Sequence, residues 1–249
     1  MSLQELCNDF DREMYNGLLS IEAANQTVRT EDRLDGFLSA AAKLFVRHNV
    51  HERFGVGLLH KHNTCEPGER MVQYDCTMDD ERALVTMPVR DAADPTKEIP
   101  NVWAVSDRSY VPLEYTTDVT ARDSFHAGEV PAAFLSDFAD LVGTAPAGGL
   151  FGLAVVKRAL AQSAQDSEIL LEYSDPVQRK NIVLLRHSDA APKSITTAWT
   201  FEARSNEVTG ETECISTQRC NCIVDDPGVP GMPPKHSHMP APHHHQRPA

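Results

Sequence analysis

The segment His60-Lys61-His62 sets two imidazoles two residues apart, with Cys65, Glu66 and Glu69 close behind them in the chain. On a strand, alternate residues share a face. Phe54, Val56, Leu58, His60 and His62 would then line one side, and Gly55, Gly57, Leu59 and Lys61 the other. Two imidazoles on one face can chelate a divalent metal ion, with Glu66 or Glu69 adding a carboxylate and Cys65 a thiolate. Each imidazole of such a site needs an acceptor for its second nitrogen, and the sequence does not name one. A histidine pKa near ~6.5 also suits acid–base or substrate-binding work. The plainer reading leaves both histidines as polar groups at a strand end, emerging from an apolar face into water. His48 and His51 read as solvated loop histidines, with a cap on the helix C-terminus as the alternative for His48.

Other chemical signals are thin. No nucleophile motif such as G-x-S-x-G occurs. The glycine-rich run 143–152 joins a helix to a strand, whereas phosphate-cradling loops lead from a strand into a helix. Catalytic residues stay unassigned, and a divalent metal is the one cofactor the residues suggest. The tail histidines His236, His238, His243, His244 and His245, with Cys220 and Cys222, would hold zinc or nickel loosely at most.

The elements that must carry these residues show an internal repeat. Residues 37–58 align without a gap onto 134–155, and seven of those 22 positions are identical, including Phe54/Phe151 and Gly55/Gly152. His60 and His62 face Lys157 and Ala159 in the second copy, so the halves differ where chemistry would sit. Apolar residues at three-and-four spacing predict helices over 32–47 and 131–142, and Leu3, Leu6, Phe10 and Met14 an N-terminal helix ending near Gly17. Strands are expected at 54–62, 69–75, 84–89 and 110–116, and again at 151–158, 168–174, 181–187 and 197–203. Short connections favour hairpins, with a turn near 65–66 that pairs His62 with Glu69. The expected fold is therefore α+β. It comprises two repeated units of one helix plus about four mostly antiparallel strands, over 31–122 and 123–224, packed as one domain. Residues 1–30 form an N-terminal helical segment, and 90–108 reads as a long loop. The tail 225–249, with seven prolines and five histidines, is expected to be disordered.

The histidine segment resembles the first motif of the cupin superfamily, a metal-binding pattern of Gly, His-x-His, Glu and a second Gly. His60-Lys61-His62 and Glu66 match its middle. The flanking glycines and the family's second motif are not matched. The duplicated layout resembles the vicinal-oxygen-chelate superfamily, which pairs βαβββ modules around a metal held by His and Glu. That resemblance implies Glu114 and Glu202 as carboxylates opposite His60 or His62, although here the helix precedes the first strand. Residues 54–76 resemble fungal-type hypothetical proteins with an aliphatic run into Leu-Leu-His-Arg-His-Phe. Gly57-Leu58-Leu59-His60-Lys61-His62 match that run, with Asn63 in the Phe position, followed by Glu69 to Tyr74. This last resemblance groups the chain and implies no activity.

Composition narrows the partners. A net charge of −13 without a stripe of Lys and Arg argues against nucleic acid and against anionic membrane surfaces. The acidic N-terminus lacks the basic, apolar plan of a secretory signal, which points to a cytoplasmic protein with reduced cysteines. Trp103 and Trp199 read as packing residues. The residues favour a binding or scaffold module for a protein or small molecule. The alternative is a metal-dependent enzyme using His60 and His62 with Glu66, Glu69 or Glu114.

Overall fold

The computed structural model describes residues 9–30, 34–78, 80–90, 97–145, 147–164, 168–187, 194–205 and 212–223. The tail 225–249, Leu3 and Leu6 lie outside the described residues. Three helices open the chain: α1 (Arg12–Gly17), α2 (Ile21–Thr30) and α3 (Leu34–Arg47). Five strands follow: β1 (Phe54–Leu58), β2 (Glu69–Met78), β3 (Glu81–Arg90), β4 (Ile99–Ser106) and β5 (Ser109–Thr116). After α4 (Val119–His126) and α5 (Ala132–Thr144) come β6 (Phe151–Val155), α6 (Ala159–Gln162), β7 (Glu168–Asp175), β8 (Lys180–His187), β9 (Ser194–Ser205) and β10 (Thr212–Ile223).

These strands do not form two units of a helix plus four strands. They close into a single ten-stranded barrel, in the order β1-β6-β4-β5-β2-β3-β8-β7-β10-β9 and back to β1. The expected hairpin between the first two strands is absent. β1 instead pairs antiparallel with β6 and β9, while β2 pairs with β3 and, in parallel, with β5. Two strands escaped the sequence reading. Pro100 and two register shifts break the pattern of β4 within the supposed loop 90–108, and β10 is rich in polar residues. Exchanging β1–β5 with β6–β10 in order maps the ring onto itself, parallel pairs β2·β5 and β7·β10 included. The repeat thus contributes five strands per half to one closed sheet.

The shared glycines follow from that closure. Val56 lies opposite Trp199, and Leu153 opposite Trp103, at corresponding places in the two halves. A Cβ on Gly55 would stand 2.3 Å from the Trp199 carbonyl oxygen, and one on Gly152 would stand 2.2 Å from that of Trp103. No side chain fits either gap, so close approach of neighbouring strands requires glycine.

Helices α3 and α5 cover the outside of the ring. Their apolar stripes bury Phe37, Leu38, Leu44 and Phe45 on α3, and Phe134, Leu135 and Phe138 on α5. Phe45 meets Phe134 and Phe138 edge-on, at 4.9 and 5.5 Å between ring centroids, and Phe54, Val56 and Leu58 of β1 join this core. The inside is different. A barrel of eight strands is just filled by its side chains, and ten leave space. Here that space is a cavity of about 70 Å³ walled by Gly57, Ala154 and a set of buried polar residues. No helix of the described residues is long and apolar enough to cross a membrane.

Candidate metal centre

The chain leaves the sheet after Leu58, so strand alternation does not reach the histidines. The segment 59–65 is fixed instead by α1 and the residues after it. The Asn16 amide donates to the Cys65 carbonyl at 2.9 Å and accepts from the Cys65 N–H at 2.8 Å. The Lys61 N–H donates to the Leu19 carbonyl at 2.8 Å, and the His62 N–H to the buried Tyr15 hydroxyl at 3.3 Å. Tyr15, Leu59, Cys65, Met71 and Leu113 pack together beneath. Burial, reinforced by the negative charge of Glu114, raises the Tyr15 phenol well above its ordinary value, so it stays protonated.

This bend drops both imidazoles into the barrel, ring centroids 4.5 Å apart. There they meet Glu172 of β7, 112 residues away from His60. Glu172 Oε1 is 3.2 Å from His60 Nε2 and 3.2 Å from His62 Nδ1. The second nitrogen of each ring is also engaged. His60 Nδ1 lies 2.8 Å from the Leu58 carbonyl, which fixes the proton on that nitrogen. His62 Nε2 lies 3.2 Å from Glu114 Oε1. Behind the carboxylate, the Cys220 thiol donates to Glu172 Oε2 at 3.6 Å. Burial, helped by Glu172, pushes that thiol up to about 12, so it remains a donor.

The electrostatics follow from burial of opposite charges. Burial alone would lower the His62 pKa, but Glu172 and Glu114 outweigh it and lift the ring to about 9. Burial alone would raise Glu172. The His62 charge and the His60 hydrogen bond overcome this and hold the carboxyl down to about 2.

His60, His62 and Glu172 offer one ligand atom each, all within 4.8 Å of one another. A tetrahedral centre with ~2.0–2.1 Å bonds sets its ligands about 3.3 Å apart, close to the two 3.2 Å separations here. Of the carboxylates suggested by sequence, Glu114 comes to the site behind His62. Glu69 is held by Arg179 at 2.6 Å and Glu66 by Arg90 at 3.0 Å, so the structure places both in ion pairs away from the imidazoles. Glu202, aligned with Glu114 by sequence, sits beside Arg204. The barrel register gives Glu114 a different counterpart, Cys220. Cys220 and Cys222 are buried, and Cys65, Cys76, Cys214 and Cys220 are free thiols. His48 pairs with Asp137 of α5 at 3.1 Å.

Glu172 went unnoticed in the sequence, although a signal existed. It aligns with Gln73 in the first half, so it differs between copies as His60 and His62 do. No family model, no curated protein and no solved structure matches the chain.

Proposed function

We propose that this protein holds a divalent transition-metal ion inside its barrel, on His60 Nε2, His62 Nδ1 and Glu172 Oε1, and acts on a small molecule reaching that ion from the adjoining cavity. One observation carries the reading. Each imidazole turns one nitrogen to the same oxygen of Glu172 and the other to a separate acceptor, Leu58 O or Glu114 Oε1. With both carboxylates ionised, satisfying those four contacts with protons alone takes four N–H groups, hence two imidazolium ions side by side in a buried site. A single divalent ion needs only neutral rings, each keeping the N–H that its outer acceptor takes. Histidine ligands with such outer acceptors are the usual arrangement at metal centres.

Two imidazoles and one carboxylate favour zinc or iron, cobalt or nickel over magnesium or calcium. Three protein ligands leave a coordination position open, as catalytic metal sites do. When bound, such an ion supplies Lewis acidity or an activated water. A binding or scaffold module without metal corresponds to the proton-bridged state of the same cluster.

The test is metal content of the full chain after loading with Zn(II) and desalting, with the five tail histidines replaced by alanine to remove their weak binding. One equivalent per chain should remain, and His60→Ala/His62→Ala should lose it. Equal metal in both proteins would refute the proposal.

A further inference from the structure

The ion accounts for one end of the cavity, and the rest of its wall has features the ion does not use. Two imidazoles, two carboxylates and one guanidinium line it, those of His60, His62, Glu114, Glu172 and Arg158, beside the protonated Tyr15 and Cys220. Within that wall, a divalent ion with neutral imidazoles balances the two carboxylates and leaves the guanidinium of Arg158 as the net positive charge. Among the described residues, the Arg158 side chain has no hydrogen-bond or ion-pair partner. Its backbone is nonetheless held in place. Asp118, 2% exposed, accepts from the neighbouring Ala159 N–H at 2.9 Å while capping α4 through Thr120 and Ala121.

A second, independent feature points the same way. Gln73, 3% exposed, lines the cavity and donates from Nε2 to Thr86 Oγ1 at 3.3 Å, while its Oε1 has no hydrogen-bond partner. Turning the amide over would orphan its nitrogen instead. A buried amide atom without a partner is destabilising, and a polar ligand in the cavity would satisfy it. The volume of about 70 Å³ accommodates about five waters at 10–15 Å³ each, or a molecule of a few heavy atoms.

We infer that the cavity recognises a small organic carboxylate, its acid group on Arg158 and a polar atom of the same molecule turned to the metal ion, with Gln73 completing its hydrogen bonds. This rests on the metal reading above and adds the substrate class to it. A guanidinium suits the purpose because its planar fork matches a carboxylate and stays charged.

The probes are glycolate and its neutral isostere glycolamide, titrated into the Co(II)-loaded full chain and followed by the visible absorption of the ion. Glycolate should bind at least tenfold more tightly than glycolamide. Arg158→Gln should erase that preference while one equivalent of Co(II) still binds, and Arg158→Lys should restore part of it. Equal affinity for the two probes, or an unchanged preference in Arg158→Gln, overturns the carboxylate inference alone. Failure of Co(II) to bind at His60, His62 and Glu172 overturns the metal reading and this inference together.

Discussion

Glu114 Oε1 lies 3.2 Å from His62 Nε2, the ring nitrogen turned away from Glu172. The contact selects the tautomer that leaves Nδ1 free for a metal, so Glu114 acts through His62 and need not touch the ion. Losing such an outer partner costs about 10–100-fold in metal affinity. Glu114→Ala should therefore still bind one equivalent of Zn(II), but that much more weakly in competition with a chromogenic chelator. Glu172→Ala should lose stoichiometric binding. Equal loss in both variants would make Glu114 a ligand.

Without metal, the His62–Glu172 pair makes stability depend on pH in two windows of opposite sign. The folded His62 pKa, about 9, is above its unfolded value of ~6.5. Its contribution is full below ~6.5 and is lost as pH rises toward 9. The folded Glu172 pKa, about 2, is below its unfolded value of ~4.3. Its contribution is present above that value and lost as pH falls toward 2. Urea titrations of the metal-free protein should give greatest stability from this pair between pH ~4.3 and ~6.5. His62→Gln should flatten the alkaline limb.

Strand closure makes a sharp distinction among three glycines. Gly55→Ala and Gly152→Ala each drive a methyl into a backbone carbonyl, at 2.3 and 2.2 Å. Each should cost about 1–3 kcal/mol or more. A Cβ on Gly57 would instead meet only ordinary contacts, the nearest being Ala154 Cβ at 3.7 Å. Gly57→Ala should melt near the parent temperature while narrowing the cavity. Thermal denaturation of all three variants reads the difference directly.

Asn16 touches none of His60, His62 and Glu172, yet it holds the segment that carries two of them. Asn16→Ala removes both hydrogen bonds to Cys65 and, at about 1 kcal/mol each, should destabilise the protein by about 2 kcal/mol. Because His60 and His62 then lose their fixed bend, Zn(II) affinity should fall as well. An unchanged affinity in a destabilised variant would show that the ion itself organises 59–65.

The sequence made some of this plain and hid the rest for identifiable reasons. Helices α3 and α5 were legible because each presents a continuous apolar stripe to the outside of the barrel. His60 and His62 stood out because their counterparts, Lys157 and Ala159, cannot repeat their chemistry. Glu66 and Glu69 looked apt only through proximity along the chain, which assumed a hairpin that does not form. Glu172 was obscured because its partners lie in the other half, and ring order is set by pairings between distant strands that no local pattern encodes. The same contrast between copies that selected the histidines, applied to Gln73 and Glu172, would have found it.

Closure of the ring also sets when the site can come into being. β1 meets β6 and β9 only across long stretches of chain, a high contact order that slows folding. Until β7 has been synthesised and joined to β8 and β10, the histidines have no carboxylate from the second half to face. On the metal reading proposed above, uptake of the ion is therefore a late event in the life of the chain. A nascent or half-assembled barrel would then hold an ion weakly, and a completed one would retain it as a clasp between its two halves.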